Sequence, residues 1–161
     1  LSGEFGTLDF QPGKNGLEMN NLDDAEQPVH WKARGKAQSF ARKEGQSFSL
    51  PAAPVMDLAQ KYASLSTRKL DVVLGAFTMR EDEWVVKLGP GMRASRVPLA
   101  LSKDTPFGSF EMSVEQSAGK IVVKSKLILK KAVIAAADYE AWRIFCESVD
   151  RAFGQRIVIS K

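Results

Sequence analysis

Cys146 and His30 are the single cysteine and single histidine of the 161-residue chain, and together they pose the simplest catalytic possibility. A thiolate that attacks a carbonyl needs an imidazole within hydrogen-bonding reach and a third group to orient that imidazole. The surrounding sequence argues otherwise. Cys146 falls on the apolar stripe of a helical pattern, beside Phe145 and one turn before Val149, where it reads as a small buried hydrophobe. A thiolate there would need Arg143 or His30 to swing in as a positive neighbour. His30 and Trp31 fall on opposite faces of one strand-like run, which puts His30 at a surface or rim. A hydrolase or acyltransferase built on this pair is kept only as an alternative.

Other reactive residue types fare no better. One cysteine and one histidine cannot supply a tetrahedral zinc set by themselves. The acidic runs Asp23–Asp24 and Glu81–Asp82–Glu83 fall in turn-like segments, and no Asp-x-Asp-x-Asp-Gly calcium loop accompanies them. "GPGM" at 89–92 lacks the Lys-Ser/Thr of a phosphate loop. Trp31, Trp84 and Trp142 could stack on bases or sugars. Trp142 lies on the helical stripe, and Trp84 shares its side with Val86 and Leu88, so these two read as packing residues, as does Trp31. No catalytic residue, metal ligand or cofactor is assigned.

The stretch that invites a binding function is "GKIVVKSKLILKK", residues 119–131. Side chains alternate between the two faces of a strand. Ile121, Val123, Leu127 and Leu129 therefore share one face, with Ser125 among them. Lys120, Lys124, Lys126 and Lys130 share the other, together with Val122 and Ile128. That second face is the candidate interaction face. The chain is mildly basic, with a formal net charge of +4 and a pI of about 9.2. Weak binding of a polyanion or polysaccharide is thus a second alternative. Glu111 and Glu115 on the preceding strand would neutralise part of the stripe, since opposite charges pair across strands. A protein partner fits a half-apolar, half-charged face better than nucleic acid does. No apolar run approaches the roughly 20 residues that span a bilayer.

These residues must be held by an α+β, mainly β fold. The spacing predicts an antiparallel β-sandwich of about seven to nine strands, a short helix near 54–64 and a C-terminal helix near 138–153. In the first helix Val55, Leu58, Ala59 and Tyr62 make a stripe, with Pro54 in the first turn. In the second, Asp138 suits the N-cap, Gly154 suits the C-terminal stop, and Trp142, Phe145, Cys146, Val149, Ala152 and Phe153 recur at i, i+3, i+4, i+7. Strands are expected at 29–33, around 70–76, at 84–88 with "REDE" as the polar turn before it, at 97–101, and at 156–160. Phe110, Met112 and Val114 begin the clearest hairpin, which turns at Ala118–Gly119. The expected core adds Leu70, Val72, Leu74, Trp84 and Val86. Residues 1–21, rich in Gly and Asn, read as a flexible leading segment in which "EFGT" has the look of a cloning remnant. Residues 22–161 read as one β-rich domain.

Taken together, "STRKLDVVLGAFTMREDEWVVKLGPG", "PFG" before the hairpin, and a closing helix with "Y…R…F…VD" resemble the C-terminal β-rich domain of bacterial transglutaminase-like multidomain proteins. The likeness runs over about residues 22–161. It implies an accessory domain of unknown function that follows a transglutaminase-like core, in an exported, periplasmic or envelope-associated parent. The family's Cys-His-Asp triad belongs to that core, and no residue here matches it. The resemblance therefore implies a non-catalytic chain that docks on its own upstream domain or on an envelope protein.

Overall fold

The computed structural model describes residues 9–23, 26–27, 30–38, 40–53, 55–75 and 78–161, with backbone alone for 9–17 and 30–38. Val29, Pro54 and Ala76, each part of an expected element, lie outside the described residues. The strands are β1 (Asp9–Asn20), β2 (His30–Gln38), β3 (Arg42–Glu44), β4 (Ser47–Pro51), β5 (Val72–Val73), β6 (Met79–Lys87), β7 (Arg93–Arg96), β8 (Leu101–Asp104), β9 (Gly108–Ser117), β10 (Lys120–Leu129), β11 (Val133–Ile134) and β12 (Arg156–Ser160). The helices are α1 (Leu58–Tyr62) and α2 (Tyr139–Phe153). The fold is mainly β, antiparallel and sandwich-like, with a C-terminal helix, as the patterning predicts.

The chain divides into two compact units, Leu1–Phe40 and Ala41–Lys161. The first holds the β1–β2 ladder, which runs from Asp9 opposite Gln38 to Asn20 opposite His30. Residues 9–20, expected within a flexible leader, thus form a strand. Its register shifts between Pro12 and Leu17, where "GKNG" interrupts the pairing.

The second unit carries two four-stranded sheets, ordered β6-β10-β9-β8 and β3-β4-β12-β7, and a two-stranded pair, β11-β5. β10 is central in the first sheet, with β6 on one side and β9 on the other. The β9–β10 hairpin turns at Gly119, whose φ of 74° is the left-handed conformation the turn needs. Phe110, Met112, Ile121, Val123, Leu127 and Leu129 are buried on one face of this sheet. α2 buries Trp142, Phe145, Cys146, Val149, Ala152 and Phe153, the residues that its periodicity selects. The rings of Phe153 and Phe110 lie 5.4 Å apart, which seats α2 on β9. After Gly154 the chain enters β12 and pairs with β4 and β7, so Ile157 and Leu50 close the second sheet.

Several expectations are corrected. "REDE" is not a turn: residues 79–87 run as one strand with alternating exposure. Leu70 is 79% exposed and lies ahead of the β5–β11 pairing, in which Val72 meets Ile134 and Val73 meets Val133. Leu74, Trp84, Val86 and Val114 are half-buried rather than core; Trp84 and Val86 sit on β6, at the edge of the sheet order. Residues 97–100 join β7 to β8 and are not a strand. α1 is confined to Leu58–Tyr62, and Val55 is exposed. Asp138 takes the N-cap position of α2 but makes no side-chain capping hydrogen bond; the chain enters that helix through a 3-10 turn at Ala136–Asp138. Gly154 does follow the helix, but at φ −71°, so no left-handed cap ends it.

Candidate interaction face

α2 shows what the helix signature is for. The Tyr139 hydroxyl donates to the Leu65 carbonyl at 2.8 Å and accepts the Leu65 N–H at 3.1 Å. Arg143 pairs with Glu147 one turn on. The Asp150 carboxylate accepts the N–H groups of Leu58 and Ala59, each at 2.8 Å. Those are orphan donors at the start of α1, so a helix too short to hold itself is capped by its neighbour. The "PFG" element is equally structural. The Thr105 hydroxyl accepts the N–H groups of Phe107 and Gly108, and Phe107 meets Trp142 edge-on at 6.2 Å. A β-carbon on Gly108 would lie 2.6 Å from the Ile128 carbonyl oxygen and 3.1 Å from the Phe145 ring. The residues that carry the resemblance thus hold the fold together.

Cys146 sits inside this packing at 0% exposure. Burial, reinforced by the negative charge of Asp150, pushes its thiol up to about 12. The protonated thiol is therefore the resting form at neutral pH, the reverse of an activated nucleophile. His30 lies on β2, and its side chain is outside the described residues. Among the described residues no group of three or more His, Cys, Asp or Glu side chains could hold a metal ion.

The lysines share the outer parity of the sheet, and carboxylates stand among them. β10 presents Lys120, Val122, Lys124, Lys126 and Ile128 on the face opposite Ile121, Val123, Leu127 and Leu129, and Lys130 follows just past its end. On one side Glu111 stands opposite Lys126, and Glu115 opposite Val122. On the other, Glu81 stands opposite Lys126, and Glu83 opposite Lys124. Lys126 Nζ meets Glu81 Oε1 at 2.6 Å, and Lys124 Nζ meets Glu115 Oε1 at 3.0 Å. Lys130 pairs with Asp104. The pairs raise the pKa of Lys124 and Lys126, first through the hydrogen bonds they donate to Glu115 and Glu81, and the bond that Lys130 donates lowers that of Asp104. These are exposed pairs, so their contribution to stability is small. What they do is neutralise Lys124, Lys126 and Lys130, while exposed Lys120, opposite Lys87, makes no ion pair among the described residues.

Val122 is 5% exposed although it shares the lysine face. Lys120 and Lys124 flank it along the strand, and Val85 and Glu115 face it from either side. Lysine stems commonly cover apolar surface in this way. Ile128 is half-buried opposite Met79, which is 65% exposed.

A depression of about 700 Å³ spans all four strands at this level. Its outward lining includes Glu81, Glu83, Glu111, Lys124 and Lys126, with small Ser102 and Ser113 between them. Sequence reading missed Glu81 and Glu83 here because it placed them in a turn. The available signal was the exposed-parity match of Glu81 and Glu83 to Lys126 and Lys124, which becomes visible only once β6 is paired with β10.

A family model described as "Domain of Unknown Function with solved-structure structure (DUF3858)" matches residues 46–159. No curated protein matches the chain. The fold is similar to a solved structure described as a "putative protease from Parabacteroides distasonis ATCC 8503", with a TM-score of 0.59 and 16% sequence identity. The alignment covers 73% of this chain and 24% of that one. At that identity the likeness is one of fold.

Proposed function

Because the chain belongs to the DUF3858 family, we propose that it is a non-catalytic accessory domain of a longer exported bacterial protein with a transglutaminase-like core. The observation that carries this reading is that a similar fold occupies about a quarter (24%) of a longer chain described as a "putative protease". The state of Cys146 supports it: a thiol with 0% exposure, and a pKa pushed to about 12, does not serve as a nucleophile. The partner in this reading is protein, either the upstream part of the same parent or an envelope protein. No helix among the described residues is long and apolar enough to cross a membrane. The parent works in the periplasm or at the cell envelope.

The test uses the longer parent with an engineered protease site just before residue 41, where the second compact unit begins. After cleavage, the two pieces are expected to co-elute on gel filtration and to separate only in denaturant. Free separation in native buffer would refute the accessory reading. Fractionation of the tagged parent checks location; a cytoplasmic pool alone would refute an exported parent.

A further inference from the structure

β6 is a long strand with one side left unpaired. The edges of its sheet are β6 and β8, and those of the other four-stranded sheet are β3 and β7. β3, β7 and β8 have three, four and four residues, whereas β6 has nine. Short edges resist pairing with another chain, and a long one invites it. The Leu88 N–H donates to the Gly119 carbonyl and the Leu129 N–H to the Thr78 carbonyl, which fixes the phase of the β6–β10 ladder. Even-numbered residues of β6 therefore bond to β10. The N–H and C=O groups of Met79, Glu81, Glu83, Val85 and Lys87 point to the open edge, where no strand among the described residues meets them.

The two halves of that edge differ. In the first half Arg80 and Asp82 put an ion pair on the inward parity, a feature that hinders an added strand. In the second half the inward parity carries Trp84 and Val86, both half-buried. On the outward parity Glu83 and Lys87 are exposed and make no ion pair among the described residues. Val85 between them is 42% exposed. Lys87 also stands directly opposite Lys120, a like-charge pair.

We infer that residues 83–87 pair antiparallel with the same residues of a second copy of this chain, about a two-fold axis through Val85. Val85 then meets Val85, and Glu83 meets Lys87 on both sides of the axis, all through edge-directed backbone groups. Every row across the joined sheets is complementary. On the outer face Val122 and Val85 continue into Val85 and Val122 of the second copy, and Lys120 and Lys87 continue into its Glu83 and Lys124. On the inner face Val123 and Trp84 continue into its Val86 and Ile121. Charge sets this register. An axis through Glu83 would set that carboxylate against itself. An axis through Trp84 would set Glu83 against Val85 and bring Lys87 to Glu81, which Lys126 already holds. Beyond the paired stretch Arg80 comes opposite Pro90, which ends the added ladder. So short a ladder buries less than the roughly 1,200 Å² of a standard interface, so the association is weak and reversible.

Sedimentation velocity of the 161-residue chain across the micromolar to millimolar range tests this. The weight-average mass is expected to rise with concentration towards twice the monomer value. Val85→Pro removes an edge-directed N–H and no bond to β10, and Glu83→Lys sets like charge against Lys87. Each should weaken association at least tenfold, and Glu83→Lys with Lys87→Glu should restore it to within threefold. The Cα atoms of such a central pair lie about 5.5 Å apart, within disulfide reach. Val85→Cys should therefore cross-link under mild oxidation, whereas Met79→Cys, with no mate in this register, should not; Cys146 is buried and does not compete. If Val85→Pro fails to fold, the charge swap and the cross-link decide. A chain that stays monomeric throughout, a charge reversal that the swap does not rescue, or a dimer that Val85→Cys leaves uncross-linked would overturn the pairing.

Discussion

Gly108→Ala is the substitution that most directly tests how α2 is seated. Gly108 is not held in the left-handed region, so its value lies in space rather than in backbone freedom. An added β-carbon meets the Ile128 carbonyl oxygen at 2.6 Å and the Phe145 ring at 3.1 and 3.2 Å. The ring could shift, but the carbonyl belongs to the β9–β10 ladder and cannot move without breaking the pairing of Gly108 with Leu129. Overpacking a well-filled site costs about 1–3 kcal/mol, and the upper end applies when backbone must give way. For a unit of about 120 residues, each kcal/mol lowers Tm by about 4 °C. The expected drop is therefore about 12 °C, measured by circular dichroism. Gly119→Ala is the contrast, because that position has φ 74° and open space around it. Its cost, from strained φ alone, is about 1 kcal/mol. A Gly108→Ala protein that melts within 2 °C of the wild type, or a larger loss at Gly119, would refute the steric account.

Asp150→Ala removes the carboxylate whose two oxygens accept the Leu58 and Ala59 N–H groups, and leaves both donors orphaned beside buried Leu58. A loss of about 2–4 kcal/mol in urea unfolding is expected, with faster tryptic cleavage at Lys61. Asp150→Asn, which keeps one acceptor oxygen, should lose less, and equal losses would refute a capping role. Cys146 should resist thiol reagents at pH 8 in the native protein, with a thiolate fraction about a thousandfold below that of the unfolded chain. Its raised pKa contributes stability that is whole below pH 9.0 and is lost as pH rises towards about 12, at about 1.4 kcal/mol per pH unit. Cys146→Ala should flatten that limb of the stability curve; an unchanged limb would show another group to be responsible. Because Lys124, Lys126 and Lys130 are paired, retention on heparin should vanish by about 150 mM salt. Retention beyond that, abolished by Lys120→Gln with Lys124→Gln, would restore the polyanion reading.

Local periodicity was enough to read α2 and the β9–β10 hairpin. Trp142, Phe145, Cys146, Val149, Ala152 and Phe153 repeat at helical spacing, and all six are buried. The parity of β10 likewise separated its buried residues from its lysines, with Val122 as the exception. The β6 strand was not legible, for a physical reason. Four consecutive charged residues look like a solvated turn until a strand of opposite charge lies beside them. Leu70 failed in the opposite way, since it alternates like a strand residue but has no strand to pair with.

The same division runs through the candidate site. The sequence alone determined that Lys120, Lys124, Lys126 and Lys130 share a face, because strand geometry makes every second side chain a neighbour. It also determined that Cys146 is a packing residue. Only the tertiary structure decided how far the charge of that face is neutralised. Which carboxylates meet those lysines depends on register across β6, β10 and β9, residues 79–87, 120–129 and 108–117. Register is a long-range property, and no local pattern encodes that Glu81 takes Lys126 while Glu115 takes Lys124.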